Sequence, residues 1–228
     1  APIVLELYSE TLQRFRLAAQ GHGPVQPPEG ERERVARYFD PLPFWYEPLE
    51  GAALAASAAR DAGAGFPLHA ITQRPMFMYH AWGAQNRWLR QIAARNVLYV
   101  HPDMAARAGL AEGDWAWLSS HIGRIRVAVA LHAGVQRDTV WTWNAIGKRR
   151  GSWGLAADAP ESTRGFLLNH LVSDLLPGAG TGANADPITG QASWFDLRVQ
   201  LERCDDQHDG QSQPQFPPLA VVGRAMPA

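Results

Sequence analysis

Between Arg74 and Ile92 the chain reads RPMFMYHAWGAQNRWLRQI, gathering Arg74, Arg87, Arg90, His80, Trp82, Trp88 and the adjacent pair Gln85 and Asn86. Neither a helical nor a strand period calls for so many large hydrogen-bonding side chains. What such a concentration could serve depends on the chemistry of each side-chain type. A guanidinium offers a planar fork to phosphate and stacks on rings. A primary amide satisfies donor and acceptor edges together, and an indole shields ring faces from water. Two further stretches invite the same thought. GAGTGANAD, residues 178–186, has the glycine density of a phosphate-cradling loop, but no clear strand precedes it and no helix follows, so a plain glycine loop is expected. GKRR, residues 147–150, reads as an exposed basic turn.

Other chemistries are excluded within these residues. Cys204 is the only cysteine, which rules out an internal disulfide, a CxxC redox pair and a cysteine-ligated cluster. The 8 histidines show no HExxH or other close ligand spacing, so no protein-ligated metal is expected. No apolar run approaches the roughly 20 residues that span a bilayer. The opening APIVLELYSE has neither a basic n-region nor an apolar h-region, and is expected to be the interior of a longer polypeptide. Net charge is only -1, yet residues 67–155 carry 11 basic and 4 acidic side chains while both flanks are acidic. All the basic residues but Lys148 are arginine.

The elements that must position these groups follow from pattern. A short helix is expected near Ser9 to Ala19. FDPLPFWYEPLEG carries Pro41, Pro43 and Pro48, which no regular helix or inner strand tolerates, so it should lie extended over a neighbouring surface. The run from Gly51 to Gly65 is a short helix or a tether. FPLHAIT and NVLYVHP read as buried strands, and Asp103 is expected to cap a helix running to Ala108 that Gly109 ends. After a turn at Gly113 and Asp114, Trp115 to Ser119 and Arg124 to Leu131 form a hairpin around His121 to Gly123. DTVWTWNAIG supplies a fifth strand, and SWFDLRVQLE a sixth with Phe195, Leu197, Val199 and Leu201 alternating inward. Closure into a six-stranded barrel with short inserted helices leaves no open edge. Beyond Arg203 the composition favours a solvated tail or an extension over a partner. The expected division is a lead-in segment, 1–65, partly extended; a barrel, 66–204; and a tail, 205–228.

HPDMAARAGLAEGDWAWLSSHIGRIRVAV resembles the core of the C-terminal domain of the dimethyl sulfoxide reductase superfamily of molybdopterin oxidoreductases. FPLHAITQRPMFMYH upstream, and FLLNHL and ADPITGQASWFDLRVQLE downstream, extend the resemblance over roughly residues 66 to 203. It implies a mainly β fold, a six-stranded double-psi β-barrel, closing over a bis-molybdopterin guanine dinucleotide that holds molybdenum or tungsten. The cofactor-facing residues it implies are Thr72, Arg74, His80, Trp82, Gln85, Asn86, Asn169, Gln191 and Phe195. On residues alone His80 is a structural histidine, Trp88, Leu89 and Ile92 are core at helical spacing, and Arg87 and Arg90 form a solvated face or a subunit contact. Catalytic and metal-ligating residues are expected outside this stretch, as is a 4Fe-4S cluster in a preceding part.

WTWNAIGKRRGSW and the spacing from Arg74 to His80 are closer to the superfamily branch that handles sulfur compounds, the sulfite dehydrogenase and polysulfide or thiosulfate reductase large subunits. The implied function is oxidoreduction of a sulfur oxyanion, with formate as the alternative substrate. A stand-alone barrel serving as a binding or assembly module is the rival from another class. Implied partners are the rest of a catalytic subunit, a membrane anchor subunit, and an iron-sulfur subunit for electron transfer, with no nucleic acid. The favoured site is the cytoplasmic face of a membrane, the periplasmic side staying open.

Overall fold

A computed structural model describes residues 7–58, 65–79, 83, 86–93, 95–144, 146, 156, 158, 165–177, 182–193, 196–207 and 215. Six strands close a barrel: β1 (Leu68–Gln73), β2 (Leu98–Val100), β3 (Trp115–Ser120), β4 (Gly123–Leu131), β5 (Thr139–Trp143) and β6 (Arg198–Arg203). Their order around the wall is β1-β5-β2-β4-β3-β6. Two neighbouring pairs are parallel, β1 with β5 and β2 with β4, and the remaining four are antiparallel. Exchanging each strand for the one three further along reproduces this order read backwards and turns the β1·β5 pair into the β4·β2 pair. That internal two-fold, with two parallel crossovers, is the double-psi arrangement expected from the sequence.

Alternation along the strands fills the interior. Ala70, Leu98, Val100, Ala116, Leu118, Ile125, Val127, Val129, Val140, Leu197, Val199 and Leu201 form one cluster. The hairpin register ends at Ser120 opposite Gly123, so its turn is only His121 and Ile122, one residue tighter than expected. Gly109 (φ 66°) ends α5 (Pro102–Arg107) in the left-handed region, with the Leu110 amide donating to Ala105 at 2.8 Å and the Gly109 amide to Ala106 at 3.1 Å. Asp103 does not cap this helix. His101 Nδ1 accepts from the Asp103 amide instead, and the Asp103 carboxylate pairs with Arg137 at 2.8 Å. Pro102 at the first helical position places the cap on the residue before it.

The lead-in is more helical than expected. α1 (Glu10–Ala19) is capped by Ser9, α2 is Arg32–Tyr38 and α3 is Leu49–Ala58. α2 falls in a stretch whose Gly and Pro content hides it. Val35 is its buried residue, and α2 packs against α1. Residues 39–48 form no helix or strand, as their prolines require. The described part of the tail folds back on the barrel. Gln207 accepts from the Trp115 amide at 2.7 Å, and Gln215 exchanges backbone hydrogen bonds with Arg124 at 2.8 Å, where Arg124 also lies over Trp117 at 4.1 Å.

Candidate cofactor site

Strand directions decide where the functional side chains go. β1, β3 and β5 run one way and β2, β4 and β6 the other, so the connections 74–97, 121–122 and 144–197 all leave from one rim of the barrel. Every residue of the implied cofactor set lies on those connections or, for Thr72, in the last turn of wall before them. The opposite rim carries residues 101–114 and 132–138.

The rim from which connections 74–97 and 144–197 leave is closed from within. Phe166, Leu168 and Leu171 reach down into the barrel core, and the 3-10 turn Leu168–Leu171 thereby turns Asn169 outward, where it is exposed. At the end of β1, Arg74 is exposed and has no ion pair among the described residues. Gln191 is exposed at the tip of a small ribbon, its carbonyl accepting from the Asp186 amide at 2.6 Å. Thr72 is half-buried, opposite Thr142 on β5, and lines a groove of about 840 Å³ on the outer wall. Asn86 is exposed, but its side-chain oxygen is committed: it caps α4 (Arg87–Ile92), accepting from the Trp88 amide at 2.9 Å and the Leu89 amide at 3.3 Å. His80, Trp82, Gln85 and Phe195 fall outside the described residues, as does GKRR.

Two asparagines that sequence reasoning passes over sit at this rim. Asn96 is fully buried; its Nδ2 donates to the Trp143 carbonyl at 2.9 Å and the Phe166 carbonyl at 3.3 Å, and its Oδ1 accepts from Thr142 at 2.8 Å. It ties the starts and ends of three segments together. Asn144, the residue after β5, has a buried Oδ1 with no hydrogen-bond partner among the described residues. Leaving a buried acceptor unmet costs about 1–3 kcal/mol, a cost removed when an external donor fills the position. Amide-like donors on a pterin edge are such groups, so the residues present fit a molybdopterin. The sequence signal for Asn144 is its place directly after a buried strand on the rim of Arg74.

A second feature corrects the sequence expectation. Trp88 and Ile92 are not core: they are 77% and 64% exposed, and Met76 on the same connection is 98% exposed. α4 has only six residues; Leu89 is half-buried beside Gly83, while Trp88 and Ile92 are left uncovered among the described residues. Monomer surfaces seldom group large apolar side chains this way unless something binds there.

A closed barrel whose one rim pairs exposed cationic and amide groups with an unmet buried acceptor defines a ligand-capping domain. Comparison with known proteins specifies it: residues 68–186 match the Molydopterin dinucleotide binding domain, and the chain belongs to that family. It is 51% identical over 222 residues, 96% of its length, to a sulfite dehydrogenase subunit from Allochromatium vinosum, and spans 22% of that protein. It is 28% identical over 101 residues, 44% of its length and 13% of the relative's, to the thiosulfate reductase molybdopterin-containing subunit of Salmonella typhimurium. Among solved structures, acetylene hydratase from Pelobacter acetylenicus superposes with a TM-score of 0.53 at 20% identity, covering 72% of this chain and 22% of that one, a likeness of fold. The chain thus spans about a fifth of the sulfite dehydrogenase protein it matches.

Proposed function

We propose that this chain is the cofactor-closing domain of a molybdenum catalytic subunit that acts on a sulfur oxyanion, sulfite first. The observation that carries the reading is the 51% identity to a sulfite dehydrogenase over 96% of the chain, which takes in the rim connections as well as the barrel. The cofactor would be a bis-molybdopterin guanine dinucleotide, and when bound it supplies the metal at which an oxygen atom and two electrons are exchanged. The chain's own residues bind and orient it. Arg74 presents its fork to pterin or diphosphate oxygens. Asn169 and Gln191 offer amides to ring edges, and Asn144 Oδ1 accepts from a ring donor. His80, Trp82, Gln85 and Phe195 complete the set, Asn86 through its amide nitrogen and Thr72 through its hydroxyl. Met76, Trp88 and Ile92 exclude water once the facing wall is in place.

The metal ligand, the substrate pocket and a 4Fe-4S cluster belong to the remainder of the subunit. A membrane anchor and an iron-sulfur subunit would carry electrons onward, with the complex on the cytoplasmic face of its membrane. Two experiments test this. The intact subunit, assayed with an artificial electron acceptor, is expected to turn over sulfite and not formate; formate turnover without sulfite turnover overturns the substrate. Arg74→Ala in the intact subunit is expected to lower molybdenum content severalfold, and unchanged content removes Arg74 from the site.

A further inference from the structure

The rim ribbon that carries Gln191 is held from outside the barrel. Its two arms meet at the Ala185 and Ala192 bridge, and its tip is closed by Asp186, whose Oδ1 accepts from the Ile188 amide at 3.1 Å, the Thr189 amide at 2.7 Å and the Thr189 hydroxyl at 2.9 Å. Gly190 takes φ 72° so that its amide can turn back to the Asp186 carbonyl at 2.8 Å. Asp186 closes the ribbon's own turn, but its second oxygen accepts from the Tyr46 hydroxyl at 2.9 Å, and the Pro187 carbonyl accepts from Arg34.

At the ribbon's base stands Glu50, 1% exposed, on α3. Its Oε1 accepts from the Arg198 amide at 3.0 Å, and its Oε2 from Asn184 Nδ2 at 3.2 Å. His121 Nδ1 lies 3.9 Å from Oε1, and the Gly51 amide donates to the Asp196 carboxylate at 3.1 Å. A single buried carboxyl group therefore joins the lead-in helix to the start of β6 and to the ribbon. Removing it would strand two buried donors. An apolar side chain would fill the space but leave both donors unmet, so the position calls for an acceptor that reaches β6 and the ribbon together. The ribbon it fixes is the one that presents Gln191.

We propose that Glu50 and Tyr46 are positioning residues of the cofactor rim, holding the 182–193 ribbon at its base and tip so that Gln191 is presented to the bound dinucleotide. The lead-in segment is thus part of the site without touching the ligand. This rests on the reading of that rim as the cofactor face. It also assigns Asn184 a role: its Nδ2 reaches both Glu50 and the Ser173 carbonyl, at 3.2 Å each, and spans the gap between the clamp and the connection that carries Asn169.

The test compares Glu50→Ala, Glu50→Gln, Tyr46→Phe and Gln191→Ala in the intact subunit, reading amide hydrogen exchange and molybdenum content together. Glu50→Ala and Tyr46→Phe are expected to raise exchange at Asn184, Gly190 and Ser193 about tenfold and to lower molybdenum severalfold, with Val129 and His132 on the far side unchanged. Glu50→Gln, which keeps an acceptor for the Arg198 amide, is expected to restore most of both. Ribbon exchange that stays at the wild-type rate, or that rises equally at Val129 and His132, overturns the clamp. A loosened ribbon with full molybdenum content overturns the positioning role if Gln191→Ala does lower the content. If Gln191→Ala leaves it unchanged too, it is the assignment of the rim that fails.

Discussion

At the barrel rim formed by residues 101–114 and 132–138, Asp103, Glu112, Asp114 and Arg137 are tied to groups beside them, and Arg107 is exposed. Asp103 pairs with Arg137, Asp114 with Arg203 at 2.5 Å, Glu112 accepts from the Leu131 amide at 2.6 Å, and Asp114 also accepts from the Ala111 amide at 3.0 Å. Among the described residues its one exposed large apolar neighbour is Leu131, at 37%. The rim that carries residues 74–97 and 144–197 is the reverse: Met76, Tyr79, Trp88 and Ile92 stand exposed, and Asn144 holds a buried oxygen that no described residue meets. The same barrel completes itself at one end and is left to be completed at the other. That asymmetry, more than any single side chain, supports the proposed placement of the ligand.

The largest expected effect ignores the asymmetry. Leu98→Ala empties a position with no exposed surface between both rims and should cost about 2–5 kcal/mol in chemical denaturation. Asp114→Ala at the self-completed rim removes an ion pair and a turn hydrogen bond, and should cost about 1 kcal/mol with no change in molybdenum content of the intact subunit. Trp88→Ala sharpens the contrast most. It should leave the stability of the chain itself within about 0.5 kcal/mol, yet lower cofactor retention in the intact subunit.

The smallest effects are in pH. Burial, reinforced by the nearby Asp196 carboxylate and opposed by the Arg198 amide, Asn184 and the Arg198 guanidinium, raises Glu50 above its ordinary 4.5. The fold then binds a proton the unfolded chain has released, so stability falls as pH rises from 4.5 through the raised value. Burial lowers His121 from 6.5 against a hydrogen bond to the Leu175 backbone, so its contribution grows as pH rises through the interval just below 6.5. Asp186 is desolvated, but the Thr189 and Tyr46 hydroxyls with the Thr189 and Ile188 amides hold it below 3.8; its contribution is present above that value and is lost as pH falls through the lowered one. In thermal melts across pH, Glu50→Gln should abolish the fall above 4.5 and leave the acid loss in place.

The barrel is legible in the sequence because its strands are short apolar or alternating runs and its turns are punctuated by Gly109 and Gly113, both at positive φ. The helix cap is not, because Pro102 shifts the start of α5 by two residues, a local steric choice that outweighs the capping preference of Asp103. α2 escapes because seven residues after a Pro-rich run give too little period to read. Trp88 and Ile92 read as core because spacing reports which residues share a face and is silent on whether the covering surface lies in the same chain. Arg74, Asn169 and Gln191 lie on connections that leave one rim, a placement that strand directions decide and local sequence does not. Asn144 and Glu50 elude it because burial of a polar atom is a tertiary fact: nothing beside Glu50 in the sequence points to Arg198, 148 residues away.

Oxidative footprinting of the isolated chain against the cofactor-loaded intact subunit tests the central claim most directly. Met76, Tyr79 and Trp88 are predicted to react readily in the isolated chain and to be protected severalfold in the loaded subunit, while Leu131 and His132 at the other rim react alike in both. Equal reactivity of Met76, Tyr79 and Trp88 in the two samples would contradict the assignment of that rim to the buried ligand.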